Sequence, residues 1–411
     1  MKLSDPVNPR DAITYDDHYP PITDIYTTHV FDNNKLGGII RDNDLDNAKF
    51  NGCLFEHNSK RLLCYRAYSN SLVGKSNIFI TELVGLTPVA NHELNLPSYT
   101  KNNRQYEDAR LFEHKGQLYL SYVAVEYWRP DGKKTYYWSA IHVVSLDDDF
   151  NVIRHYKTKF DGNGVDTPQK NWIYFSDGEH LYFIHDAQYH RVVQVDDNLQ
   201  PVKATASTPI QWPHGVMRGG SNPIRLDDEH WLTWTHASVN HKQRKRRYTM
   251  VPYIFTLKEI TQIGKPVFAS TMNPIVDISA TWWHPVVIFP MGVIRNGGNF
   301  LLSVGINDLY TTILEIPGNI EIEMEPAAKY HQFKPRYFFW KKATNMTRFS
   351  HYKILKVGGM GTEIIGAVGN PVDFAFVNEN FQDIEWITRK EYDQYIANST
   401  IGKTSTIRSI L

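Results

Sequence analysis

Residues 111–125, Leu-Phe-Glu-His-Lys-Gly-Gln-Leu-Tyr-Leu-Ser-Tyr-Val-Ala-Val (LFEHKGQLYLSYVAV), have an apolar entry, a polar turn at His-Lys-Gly and then an alternating run. Alternation with period two places successive side chains on opposite faces of a strand, and Lys-Gly between two such runs marks a hairpin turn. The same pattern occurs four more times, as LFEHNSKRLLCYRAY (54–68), YFSDGEHLYFIHDAQ (174–188), IRLDDEHWLTWTHAS (224–238) and VIRNGGNFLLSVGIND (293–308). Successive copies begin roughly 50–70 residues apart, which leaves room for about two further strands per copy. Five four-stranded units predict an all-β chain folded as a five-bladed β-propeller. A sandwich or barrel is the alternative reading of five hairpins. Arg66, Glu126, the pair His185 and Asp186, His236, and the pair Asn307 and Asp308 all follow the second strand of a copy. Strand ends that converge on one funnel would gather such side chains.

Composition agrees with this class. Of 411 residues, 42% are apolar and 13% aromatic, and 25 glycines and 21 prolines punctuate short alternating runs. Basic and acidic residues balance at 44 each, so no global field points to nucleic acid or to an anionic membrane. No run approaches 18 apolar residues, which predicts no membrane-spanning helix. Two cysteines, Cys53 and Cys64, and an N-terminus without an apolar leader fit a cytoplasmic protein. Residues 1–317 are expected to form the propeller. Residues 318–411 change character and are expected to form an α+β appendage, packed on the propeller or on a second subunit in a homo-oligomer. Within the appendage, HYKILKV and PVDFAFV alternate, and Thr388 with Glu391 forms a capping box that would open a helix over TRKEYDQYIAN.

Several chemistries lack their motifs. There is no GxGxxG or GxxxxGK[ST] loop, no HExxH, no paired CxxC and no GxSxG, and the 17 histidines show no metal-ligand spacing. No metal or bound cofactor is expected. The basic run KQRKRRY (242–248) reads as a solvated hairpin loop, with Arg247 and Tyr248 closest to the funnel. Trp172, Trp234, Trp282 and Trp283 are open to two roles, as core residues or as platforms for a sugar face.

Short motifs then occur in a fixed order: FNG (50–52), YRAY (65–68), YEDAR (106–110), QKNW (169–172), GGSNPIR (219–225), THA (235–237), RRY (246–248), VVIFPMG (286–292) and GIND (305–308). This ordered set resembles the mannoside phosphorylases of glycoside hydrolase family 130 and the related mannosyl-transferring propeller enzymes, over roughly residues 45–315. The resemblance implies an inverting transfer of a β-linked mannosyl or similar unit. The co-substrate would be inorganic phosphate, a sugar phosphate or a nucleotide sugar. It puts the acid role on Asp108, phosphate or donor binding on Lys170, Asn171, Arg225, His236 and Tyr248, and sugar contacts on Asn51, Arg66 and Asp308. Glu107 is expected to tune Asp108 by its like charge, and Arg110 to orient the loop or a hydroxyl. The family's Glu-Asp-Pro-Arg is Glu-Asp-Ala-Arg here. Asp186 stands in FIHDAQ (183–188) where phosphorylases carry an arginine, which makes it a candidate general base and keeps an inverting hydrolase as an alternative. A propeller that binds carbohydrate without turning it over is the third reading.

Overall fold

The computed structural model describes residues 26–38, 47–69, 75–97, 104–128, 136–158, 160, 169–207, 210, 212, 216–241, 245–268, 287–319 and 324–330, together with five strands between 336 and 387. Regular structure among them is strand apart from two short 3-10 turns, Asn33–Lys35 and Ala327–Tyr330. No helix of the described residues is long and apolar enough to cross a membrane.

Five antiparallel sheets follow one another along the chain. Blade 1 holds β2 (Lys49–His57), β3 (Lys60–Ser69), β4 (Lys75–Val84) and β5 (Thr87–Glu93). Blade 2 holds β6 (Arg104–His114), β7 (Gln117–Trp128), β8 (Tyr136–Leu146) and β9 (Val152–Tyr156). Blade 3 is β10 (Ile173–Ser176), β11 (Leu181–Asp186), β12 (Arg191–Val195) and β13 (Pro201–Thr205). In blade 4 the innermost strand is interrupted into β14 (Val216–Gly220) and β15 (Ile224–Arg225), both paired to β16 (Trp231–His241). Outward lie β17 (Lys245–Phe255), β18 (Ile260–Ile263) and β19 (Val267–Phe268). Blade 5 has β20 (Ile288–Asn296), β21 (Asn299–Ile306) and β22 (Tyr310–Pro317). Its fourth strand is β1 (Thr27–Val30), taken from the start of the chain and paired antiparallel to β22. The ring is thus a five-bladed β-propeller closed by a strand from the other end of the sequence. Each of the five quoted hairpins is the first strand pair of one blade.

Why these strands are apolar on both faces follows from the ring. A blade is covered by a neighbour on each side, so alternate residues of one strand face different seams. Leu62 and Leu63 are both fully buried. Leu62 packs with Leu111, Leu120 and Val144 of blade 2, and Leu63 with Ile294, Leu301 and Ile313 of blade 5. The large buried clusters correspond to the five seams, between blades 1 and 2, 2 and 3, 3 and 4, 4 and 5, and 5 and 1. Trp172 and Trp234 belong to two of them and are buried core residues. Trp282 and Trp283 lie outside the described residues.

After β22, β23 (Glu325–Pro326) pairs with β18 on the outer side of blade 4. A separate five-stranded antiparallel sheet follows, in the order β27 (Pro371–Val372), β26 (Gly361–Gly366), β25 (His351–Gly358), β24 (Arg336–Trp340), β28 (Ile384–Ile387). HYKILKV forms β25. The helix expected over 388–398 lies outside the described residues.

Candidate active site

Four of the five innermost strands share one irregularity. Register shifts between Phe50 and Cys53 in β2, between Glu107 and Arg110 in β6, between Arg218 and Gly220 in β14, and between Pro290 and Gly292 in β20 each insert one extra residue. Such bulges re-aim side chains and are common beside active sites. Asn51 (φ 53°) and Asp108 (φ 52°) occupy the bulges of blades 1 and 2, and Asn171 (φ 64°) precedes β10 at the corresponding place in blade 3. All three lie in the left-handed region, which asparagine and aspartate enter at low cost. Blade 4 has Gly219 there. A Cβ on Gly219 would stand 1.8 Å from the carbonyl oxygen of Asn171, so only glycine permits that approach of blade 4 to blade 3.

The bulges bring five of the candidate residues together, in two adjoining groups. Asn51 Nδ2 donates to Asp108 Oδ1 at 2.9 Å. Glu107 bridges two cations, Arg66 of blade 1 (Nη1 to Oε1, 3.2 Å) and Lys170 before blade 3 (Nζ to Oε2, 2.8 Å). The Glu107 side chain is only 12% exposed, so these pairs act with little screening. Arg66 is itself oriented: Nε donates to Ser76 Oγ (3.0 Å), which donates to the carbonyl of Tyr106 (3.0 Å), and its guanidinium lies 5.0 Å from the centre of the Phe50 ring. The like charge expected of Glu107 is therefore offset by two opposite charges.

Arg110 points inward. It is 2% exposed, with Nη1 on the carbonyl of Asp108 (2.9 Å), Nε on that of Gly220 (2.8 Å) and the ring of Phe289 5.6 Å away. It ties the bulge of blade 2 to that of blade 4. His236 is paired in register with Arg218, stacked on Tyr248 with ring centres 5.9 Å apart, and its Nδ1 lies 2.6 Å from the carbonyl oxygen of Gly219. A carbonyl only accepts, so Nδ1 carries the proton. Burial, reinforced by Arg218, pushes the His236 pKa down to about 3 and keeps the ring neutral. Nε2 is then an acceptor, suited to a hydroxyl of a sugar or of a protonated phosphate.

Asp186 is level with Asn171, because Ile173 pairs with Ile184, but stands one strand farther out. Burial raises its pKa, opposed by the amides of Tyr189 and Gln188 and by Arg191. Its Oδ1 accepts from Tyr189 N at 3.1 Å, within the turn that ends β11. Asp308 (φ 56°) sits in the exposed turn after β21, beside Asn307, which exchanges hydrogen bonds with Val287 at the start of β20. Both belong to the same end of the ring as the bulges.

Arg225 does not. It lies in β15, beyond the interruption of the blade 4 inner strand, and its guanidinium donates to the carbonyls of Asp227 (2.9 Å) and Asp177 (3.1 Å) and to Asp228 Oδ1 (3.2 Å). These acceptors are in the hairpin turns at the opposite end of the ring, which corrects its expected place beside Lys170. Nor do the residues following the second strands share one level. Arg66 and His236 are paired to the bulges, whereas Glu126 pairs with Arg104, three residues before Glu107. Ser76 was not singled out by sequence, and Gly219 only as the first residue of GGSNPIR. The Asn-Gly, Asp-Ala and Asn-Trp steps at residues 51–52, 108–109 and 171–172, in or just before the inner strands of blades 1, 2 and 3, were the signal for these positions.

With this geometry in hand, similarity to solved structures can be stated. The chain superposes on the β-1,2-mannobiose phosphorylase from Listeria innocua, in complex with β-1,2-mannobiose, with a TM-score of 0.51 and 16% identity, covering 72% of this chain and 100% of that one. The two share a fold. Lower similarity extends to a mannose phosphorylase from Leishmania mexicana in complex with phosphate ion (TM-score 0.45, 16% identity, 68% of this chain and 86% of that one). A GDP-Man-dependent mannosyltransferase from the same organism gives a TM-score of 0.44 at 14% identity, over 66% of this chain and 85% of that one. No protein-family model matches the sequence, and neither does any curated protein.

Proposed function

We propose that the protein is a carbohydrate-active enzyme that transfers a mannosyl or similarly configured β-linked glycosyl unit with inversion, as a glycoside phosphorylase or a closely related glycosyltransferase. The observation that carries this reading is the bulge of blade 2. It presents Asp108, held on one oxygen by Asn51, next to a carboxylate that clamps two cations from neighbouring blades. The fold shared with a mannobiose phosphorylase supports it. In the forward direction a phosphate oxygen attacks the anomeric carbon from the face opposite the glycosidic oxygen. The C–O bond breaks, Asp108 supplies the proton to the departing oxygen through a sugar hydroxyl, and an α-configured sugar 1-phosphate results. Lys170, Asn171, His236 and Tyr248 hold phosphate or the activated donor. Asn51, Arg66 and Asp308 hold the sugar, and Arg110 keeps the bulge in place.

Hydrolysis is the second reading, favoured by one observation: a half-buried carboxyl, Asp186, stands at the bulge end of blade 3. Activation of water by Asp186 would need it roughly 6.5–9.5 Å from the acid across the sugar. Its hydrogen bond to Tyr189 N speaks for a turn-capping role instead. Incubating the protein with β-mannosides in buffer with and without phosphate separates the readings. Cleavage that requires phosphate and yields a sugar 1-phosphate supports the proposal. Cleavage at the same rate in plain buffer establishes the hydrolase.

A further inference from the structure

His236 of β16 is 2% exposed, and its ring is held between contacts with Tyr248 and Phe289, whose ring centres lie 5.9 and 4.4 Å away. Nδ1 donates to the carbonyl of Gly219 at 2.6 Å. Gly219 is itself packed against the carbonyl of Asn171 in blade 3, which fixes that acceptor in place. Nε2 makes no hydrogen bond, and it is not among the fully enclosed unpaired atoms of the described residues, so it keeps accessible surface. Burial first, then the charges of Arg218 and Arg110, oppose a second proton on the ring. Nε2 is therefore a lone pair in a fixed position, and only a donor satisfies it. Its surroundings nevertheless draw an anion. Arg218 is paired directly with His236, which puts both side chains on one face of blade 4, and Lys170 immediately precedes the Asn171 carbonyl that touches Gly219. An acceptor set among cations imposes a condition on the anion that meets it: the anion must itself carry a proton.

We propose that His236 selects the co-substrate as a phosphate bearing an acidic proton, and rejects sulfate and the diphosphate of a nucleotide sugar. This rests on the glycosyl-transferring reading of the site given above. In the direction of cleavage the co-substrate is hydrogen phosphate, which gives its P–OH to Nε2 and keeps its charged oxygens for the cations and for attack. One of those oxygens forms the new bond to the anomeric carbon as the glycosidic C–O bond breaks. Asp108 supplies the proton of the departing oxygen, and the P–OH stays on Nε2, so the product is the singly ionised ester. In reverse, the sugar 1-phosphate enters in that same monoanionic form. Sulfate has the shape and charge of hydrogen phosphate but no proton near neutral pH, and the diphosphate of a nucleotide sugar has none either. Each would set an oxygen lone pair against that of Nε2. A site built around a hydrogen bond rejects an analogue that lacks it far more strongly than an apolar pocket rejects a poor fit.

Calorimetric titration of the full-length protein with inorganic phosphate and with sulfate, near neutral pH, at equal ionic strength and without sugar, tests this. Phosphate is expected to bind with a Kd on the order of 1 mM, and sulfate about tenfold more weakly or worse. In His236→Gln, whose amide can turn an N–H towards the ligand, the ratio should fall to about threefold or less. Nitrogen-15 NMR of the histidine-labelled parent, with the variant to assign the resonances, should show Nδ1 protonated and Nε2 bare, with Nε2 moving on addition of phosphate but not of sulfate. His236→Asn, which keeps a donor for the Gly219 carbonyl and removes the Nε2 position, serves both purposes if His236→Gln does not fold. Absence of phosphate binding, equal affinity for the two anions in the parent, a ratio unchanged in the variant, or a protonated Nε2 would each overturn the proposal. If the expected ratios are found in a protein that cleaves β-mannosides equally well without phosphate, the phosphorylase reading fails while the selection of protonated phosphate by His236 stands.

Discussion

Asp108 and Lys170 differ in how much of their surroundings each one needs. Lys170 is held by Glu107 at 2.8 Å, so its charge must be shared between that carboxylate and any incoming anion. If it binds phosphate, Lys170→Ala should raise the KM for phosphate about tenfold or more while changing that for sugar by much less, a comparison steady-state kinetics makes directly. An equal effect on both would make Lys170 a scaffold residue that only positions Glu107. Buried histidines give a second prediction. Burial lowers His190 and His185 to about 4 and His236 to about 3. Each is neutral in the folded chain and takes up a proton on unfolding below its ordinary pKa near 6.5. Their contribution is therefore fully present above pH 6.5 and falls as pH drops towards 4. Urea midpoints should decline through that window. His190 Nε2 meets the Thr256 carbonyl at 2.8 Å, and His190→Gln, which can still donate there, should flatten the slope by about 1.4 kcal/mol per pH unit.

At the scale of the element, the bulge does the positioning. Gly219→Ala would drive a Cβ into the Asn171 carbonyl and displace the segment carrying Lys170. A loss of several-fold or more in turnover, with a lowered melting temperature, is the expected outcome, and a variant with parental kinetics would remove the bulge from the account. The hairpins were legible because Lys-Gly and its counterparts announce turns between alternating runs. Asn51, Asp108 and Asn171 were legible as polar residues in or just before the inner strands of blades 1, 2 and 3, although their shared left-handed backbone was not. Arg225 illustrates what a motif leaves open. In Gly-Gly-Ser-Asn-Pro-Ile-Arg the chain spends six residues, about 20 Å of extended backbone, between the bulge and the arginine, which carries it to the other end of the ring. The interruption at Ser221–Pro223 is a tertiary feature, and no local pattern marks which end a side chain reaches.

For the whole molecule, closure is the feature the repeats did not reveal. Four strands per blade were counted forward along the chain, yet blade 5 takes its fourth strand from Thr27–Val30, a short segment without a turn partner nearby. Only the long-range pairing of Thr28 with Leu314 and of Val30 with Thr312 identifies it. Deleting residues 1–30 should uncover the edge of β22 and open the ring. A melting temperature lower by several degrees and concentration-dependent association, seen by scattering, are expected. The five seams explain why so much of the sequence is apolar on both strand faces, and why the bulge end is left to carry polar residues from several blades.

That convergence on Asp108 is the central claim, and Asp108→Asn isolates it, since asparagine accepts the same left-handed backbone while losing the proton. The measurement is inorganic phosphate released from α-mannose 1-phosphate in the presence of acceptor sugars, parent against Asp108→Asn, with both proteins shown to melt alike. Acceptor-dependent release in the parent and a loss on the order of 100-fold or more in the variant is the predicted result. Undiminished release in Asp108→Asn would contradict the account.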